Sequence, residues 1–115
     1  MREVSEPDWK VLRRLHPIAL DRFCQRVLEE IEQLSSALSE SPHHRYLNVY
    51  EVMQTRDAEM SQIFDDLRRS LAFQCVALLK SRGLITPEEF GEFSADFRST
   101  IDLLKECLII SHDRR

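Results

Sequence analysis

From Arg45 to Arg82 the chain contains neither glycine nor proline. A run this long offers no easy place to turn, so its hydrophobic period decides what it becomes. Tyr46, Tyr50, Met53, Met60, Phe64, Leu67, Leu71 and Leu78 recur through it at heptad-like intervals. That spacing predicts an amphipathic helix of about 60 Å at 1.5 Å per residue. The pattern lapses only in QTRDAE, residues 54–59, where Arg56 and Asp57 occupy the seam. Either one helix spans 45–82 or two helices meet at 54–59. With no breaker residue there, the continuous helix is the expectation. FQCVALL, residues 73–79, is apolar almost all round, which predicts enclosure on most sides.

The flanking segments read as helices too. Ser5, Pro7 and Asp8 form a helix start. Pro17 lacks the N–H that would bond residue 13 and disfavours helical geometry at His16. A break or kink is therefore expected near His16, which is expected to cap a second helix. That helix runs from Pro17 with Leu20, Cys24, Val27, Ile31, Leu34 and Leu38 on one face. SESPHH, residues 39–44, is a turn. Gly83 suits the left-handed residue that closes a helix. Thr86, Pro87 and Glu89 then start the last helix with a capping box. Phe90, Phe93, Phe97, Ile101, Leu104 and Leu108 draw a single seam along that helix, which is expected to reach about Ile110. The expected fold is all-α, an antiparallel helical bundle in one domain over residues 1–115. Its parts are a short N-terminal helix, a second helix, a long central helix and a C-terminal helix.

Helix lengths carry a further expectation. The final helix is about 36 Å long against about 60 Å for the central one, so one end of the central helix has a partner on one side only. Tyr46, Val49, Tyr50 and Met53 lie in that overhang. Soluble monomers seldom leave such a strip open to water, and a two-fold dimer is the commonest cover. A homodimer through these residues is the expectation. With a break at 54–59, the strip would instead fold inward in a compact four-helix monomer.

Chemistry is sparse. The net charge of −4 is spread along the chain with no basic block, so no nucleic-acid partner is expected. Cys24, Cys75 and Cys107 are odd in number and lack a C-x-x-C spacing, which speaks against a disulfide framework and a zinc site. No apolar run approaches the roughly 20 residues of a membrane span, and the first ten residues lack the apolar centre of a signal peptide. The expected setting is cytoplasmic. Glu40 and His43 make a single E-x-x-H interrupted by Pro42, whereas di-iron sites need that motif twice on helices. LITPEEFGEF is similar to the entering helix of an EF-hand, but no loop of spaced acidic ligands follows. No nucleophile–base pair, P-loop or dinucleotide fingerprint is present, so neither a metal nor a cofactor is expected. Arg56, Asp57 and Gln74 are polar residues on or near an apolar stripe. They would fix the register of a dimer or line a pocket for a small anion, as inward arginines do in helical chorismate-mutase-type enzymes.

MREVSEPDWKVLRRLHP and GLITPEEFGEFSADFRSTIDLL resemble the two ends of a group of small bacterial all-helical proteins of unassigned function. Those proteins open with an S/T-x-x-D-W-K helix followed by a proline and close with a G-(L/V)-I-T…F-S helix. The likeness covers about a third of the chain. It implies a bacterial, all-helical protein and supplies no functional residues. Two functions follow as expectations: a non-enzymatic helical interaction module, homodimeric through its apolar faces, or a small-molecule or anion-binding bundle with a polar site near Arg56, Asp57 and Gln74.

Overall fold

The computed structural model describes residues 3–113, with side chains described through Leu104. The chain is all-α: α1 spans Glu6–Ser35, α2 Pro42–Phe64, α3 Ala72–Ser81, α4 Pro87–Phe90 and α5 Ala95–Asp113, with a 3-10 turn at Arg69–Leu71 before α3. No strand occurs among the described residues.

α1 begins as the sequence predicts, with Ser5 as N-cap accepting from the Asp8 N–H at 3.3 Å. It then runs thirty residues straight through Pro17. The break expected at His16 does not occur, and His16 caps nothing. Leu12, Leu15, Ala19 and Phe23 lie on one buried face that crosses the proline. Burying side chains the size of Leu12, Leu15 and Phe23 stabilises by about 1.5–3 kcal/mol each, which exceeds the cost of about 3 kcal/mol for an interior proline. Arg13 and Pro17 both face solvent, so water can satisfy the carbonyl that the proline leaves free.

α1 ends at Ser35, three residues short of the expected Leu38, and Ser41 caps α2 by accepting from the His44 N–H at 3.1 Å. The two helices pair in opposite order. Arg45 donates to the Ser35 carbonyl, Arg56 meets Glu30, and the rings of Phe23 and Phe64 touch edge to face.

The helix expected over 45–82 is not continuous, nor is it broken at 54–59. It stops at Phe64 and resumes at Ala72. In the gap Arg68 grips Asp66 through two bonds of 2.7 and 2.6 Å. Residues two apart do not face each other on a helix, so this pair belongs to the extended backbone found at Arg68. Arg69 is drawn away to the Val4 carbonyl and Glu6. After the break α3 packs on α5 and α1 with Ala72, Val76, Ala77 and Leu79 buried, in line with the enclosure predicted for FQCVALL.

Gly83 closes α3 with φ +66°. The Leu84 N–H reaches the Leu79 carbonyl and the Gly83 N–H the Lys80 carbonyl, the two bonds of a Schellman ending. Thr86 and Glu89 form the predicted capping box, but α4 lasts a single turn. The single final helix expected from Thr86 is split at Gly91–Ser94. Ser94 is claimed by Asp8, to which it donates from its N–H at 2.8 Å and its hydroxyl at 2.7 Å. The Ser94 hydroxyl oxygen also accepts from the Phe97 N–H and so caps α5. Phe93, Phe97 and Ile101 of the predicted seam are buried in the chain's own core. The ring of Phe97 stacks on those of Phe73 and Phe93, each at 4.6 Å. The Leu108 side chain lies outside the described residues.

The core gathers at one end of the molecule. Of α2 only Ile63 and Phe64 are buried, so the rest of the α1–α2 hairpin stands out from it. The radius of gyration is 17.0 Å and the extents are 53 × 33 × 23 Å, against a radius of about 13 Å for a compact chain near this length.

Candidate functional site: an apolar groove on the hairpin

The protruding hairpin carries most of the exposed large apolar side chains. Leu28 and Tyr46 are each 60% exposed, Tyr50 54%, and Met53 48%. Between the helices runs a cleft of about 210 Å³ walled by Cys24, Val27, Leu28 and Ile31 of α1 and by Met53 and Met60 of α2. Met53 joins it to a shallower depression of about 540 Å³ toward the hairpin end, lined by Pro42, Tyr46, Val49 and Tyr50. The four residues singled out from the overhang, Tyr46, Val49, Tyr50 and Met53, therefore share one surface. It remains open although the long helix is broken, because the break falls at 65–71, beyond the strip.

Sequence spacing overlooks the other wall. Cys24 and Ile31 read as seam residues facing inward, and Leu28 stands outside the α1 seam altogether. A signal for it exists: Cys24, Leu28 and Ile31 follow one another at steps of 4 and 3, a second stripe beside the one that packs on α2. Cys24 is half-buried in this wall. Cys75 is sunk in α3, where burial pushes its thiol up to about 11 and makes it a poor nucleophile.

The polar trio does not assemble. Arg56 and Asp57 both line the apolar cleft, but the Arg56 guanidinium is held by Glu30 through bonds of 2.9 and 3.2 Å and by Glu59 through two of 2.9 Å. Those bonds raise the guanidinium further above its usual value and pull the Glu30 carboxyl below its own. Asp57 stays exposed beside the apolar cleft, and Gln74 is exposed on α3. A second cleft of about 220 Å³ beside Arg56 also contains Arg26, Arg82, Glu30 and Glu59. Arg26 donates to the Arg82 and Gly83 carbonyls, and Arg82 lies 3.6 Å from Glu59. An anion would therefore compete with two carboxylates for guanidinium groups already engaged.

Among the described residues no group of three or more His, Cys, Asp and Glu is placed to hold a metal ion. Glu40 contacts His44, not His43. His16 lies in α1 with its ring edge-on to Phe64 at 5.3 Å, and burial lowers its imidazole below the ordinary value. No described helix is long and apolar enough to cross a membrane. No protein-family model matches the chain, and comparison with curated proteins and with solved structures gave no match.

Proposed function

We propose that this chain is a non-enzymatic helical interaction module, acting in a bacterial cytoplasm, whose α1–α2 hairpin presents a groove that another helical surface covers. One observation carries the reading: a limb that contributes little to the core keeps Leu28, Tyr46, Tyr50 and Met53 open to water on one continuous face. An exposed apolar patch edged by polar groups is the usual mark of a docking surface. A two-fold homodimer is the simplest such cover, with the hairpins of two copies stacked as a four-helix layer. The anion-binding alternative draws no support from Arg56, whose guanidinium is already shared between two glutamates.

The test is association and its loss. Sedimentation equilibrium of the wild type and of the Tyr50→Asp, Met53→Asp double variant gives the mass in each case. A species of twice 13.6 kDa that reverts to the monomer in the variant supports the symmetric form. A monomer at every concentration rules out the symmetric form. An assembly that both substitutions leave intact would refute the proposal.

A further inference from the structure

The hairpin that carries the groove also carries the protein's net charge. Residues 20–64 contain eight acidic and four basic side chains, and the rest of the sequence contains twelve of each. Two of the four line the groove, Arg56 in the cleft and Arg45 in the depression, and all four are engaged within the chain. Arg22 binds Glu89, Arg26 the Arg82 and Gly83 carbonyls, Arg45 the Ser35 carbonyl, and Arg56 the pair Glu30 and Glu59. The acidic groups beside the groove are not matched in this way. Asp57 borders the apolar cleft. Asp21 and Glu32, both exposed, stand seven residues before and four after Leu28 and so share its flank of α1. None of the three forms an ion pair with a described residue.

A second copy covers the apolar floor but offers the acidic rim no unengaged cation from its hairpin, because each hairpin arginine is already bonded within its own chain. The apolar floor runs from Met60 to Tyr46 along α2, about 21 Å or four helical turns. Its methionine and cysteine walls adapt to varied side chains.

We propose that the groove receives a basic amphipathic helix of another protein, about four turns long. Its apolar stripe lies on Met53 and Leu28, and its lysines or arginines face Asp21, Glu32 and Asp57. This inference rests on the reading of the hairpin as an interaction surface and names the chemistry of the partner.

Fluorescence anisotropy with three labelled peptides of about 16 residues tests it. One places leucines at helical spacing among lysines, the second has glutamates for lysines, and the third shuffles the lysine peptide so that no apolar stripe forms. The lysine peptide is expected to bind one to one, with the other two weaker by at least about tenfold. Met53→Asp should weaken it by a similar factor. The triple variant Asp21→Lys, Glu32→Lys, Asp57→Lys should prefer the glutamate peptide. All these positions are exposed, and circular dichroism melts confirm that the variants fold. Equal binding of the lysine and shuffled peptides, or a preference unmoved by charge reversal, would overturn the inference. So would a chain that sediments at twice 13.6 kDa, is returned to monomer by Met53→Asp and ignores the lysine peptide, although the interaction surface itself would then stand. Absence of peptide binding, with wild type and Met53→Asp both monomeric, would dispose of the surface as well.

Discussion

A buried carboxylate is stable only when its oxygens are hydrogen-bonded. Asp8, 4% exposed, meets that condition with donors from Ser5 and Ser94. Asp8→Ala would strand the Ser94 N–H, and a loss of about 3 kcal/mol in urea unfolding is expected. Glu89, half-buried, is bonded as fully. It accepts two bonds from Arg22, at 2.6 and 2.8 Å, and one from the Thr86 N–H. The Arg22 guanidinium, with Thr86, holds its carboxyl at about 2, against an ordinary value of 4.5. Because the folded value is depressed, this stabilisation is fully present above about pH 4.5 and is lost as the pH falls toward 2. Solvent reaches both partners, so the contribution is about 1 kcal/mol. Glu89→Gln should remove that amount at neutral pH and flatten the acid limb of the stability–pH curve between 4.5 and 2. The capping role of Glu89 was legible in Thr86-Pro87-Glu88-Glu89, because caps are local. Its pairing with Arg22, 67 residues away, left no trace in spacing.

At the scale of elements, Pro17 lies inside α1 where a proline is a burden. Pro17→Ala restores a donor for the Arg13 carbonyl and should raise stability by about 2 kcal/mol, read from the urea midpoint. Gly83→Ala should lower it by about 1 kcal/mol, because φ there is +66°. Helix type, the Ser5 and Thr86 caps and the α3 ending follow from short patterns and were legible. Continuity was not. Pro17 looked like a stop and is passed over because the buried face continues beneath it. Residues 65–71 looked like helix and are broken by Arg68 turning back on Asp66 and Arg69 reaching Val4. At Pro17 a tertiary face outweighs the local preference; at 65–71 a local pair and the reach of Arg69 to Val4 act together.

For the whole molecule, the separation of core from hairpin sets a gradient of stability. Amides around residues 36–50, with little buried side-chain area, should exchange with deuterium well before those of Val76–Leu79, whose side chains are enclosed. Tyr50→Asp and Met53→Asp should each change the unfolding free energy by no more than about 0.5 kcal/mol while altering association. Half of the groove was visible in the sequence. The overhang of Tyr46, Val49, Tyr50 and Met53 came from comparing helix lengths, but its premise fails: the rod is broken at 65–71 and α5 packs on α3, and the strip is open because α2 packs mainly on α1. The α1 wall depends on how two helices are rotated against each other, which apolar periodicity fixes only to within a stripe, and the hairpin arginines reach partners as far as 67 residues away.

The bond between Asp8 and Ser94 spans 86 residues, and closing a loop of that size costs about 4 kcal/mol in chain entropy. During synthesis, Leu12 and Leu15 therefore leave the ribosome long before the partners of this end exist, while the hairpin has all its own residues in hand by Phe64. The limb shaped for recognition is thus the first part of the molecule able to form. The core that anchors it must wait until translation has passed the start of α5.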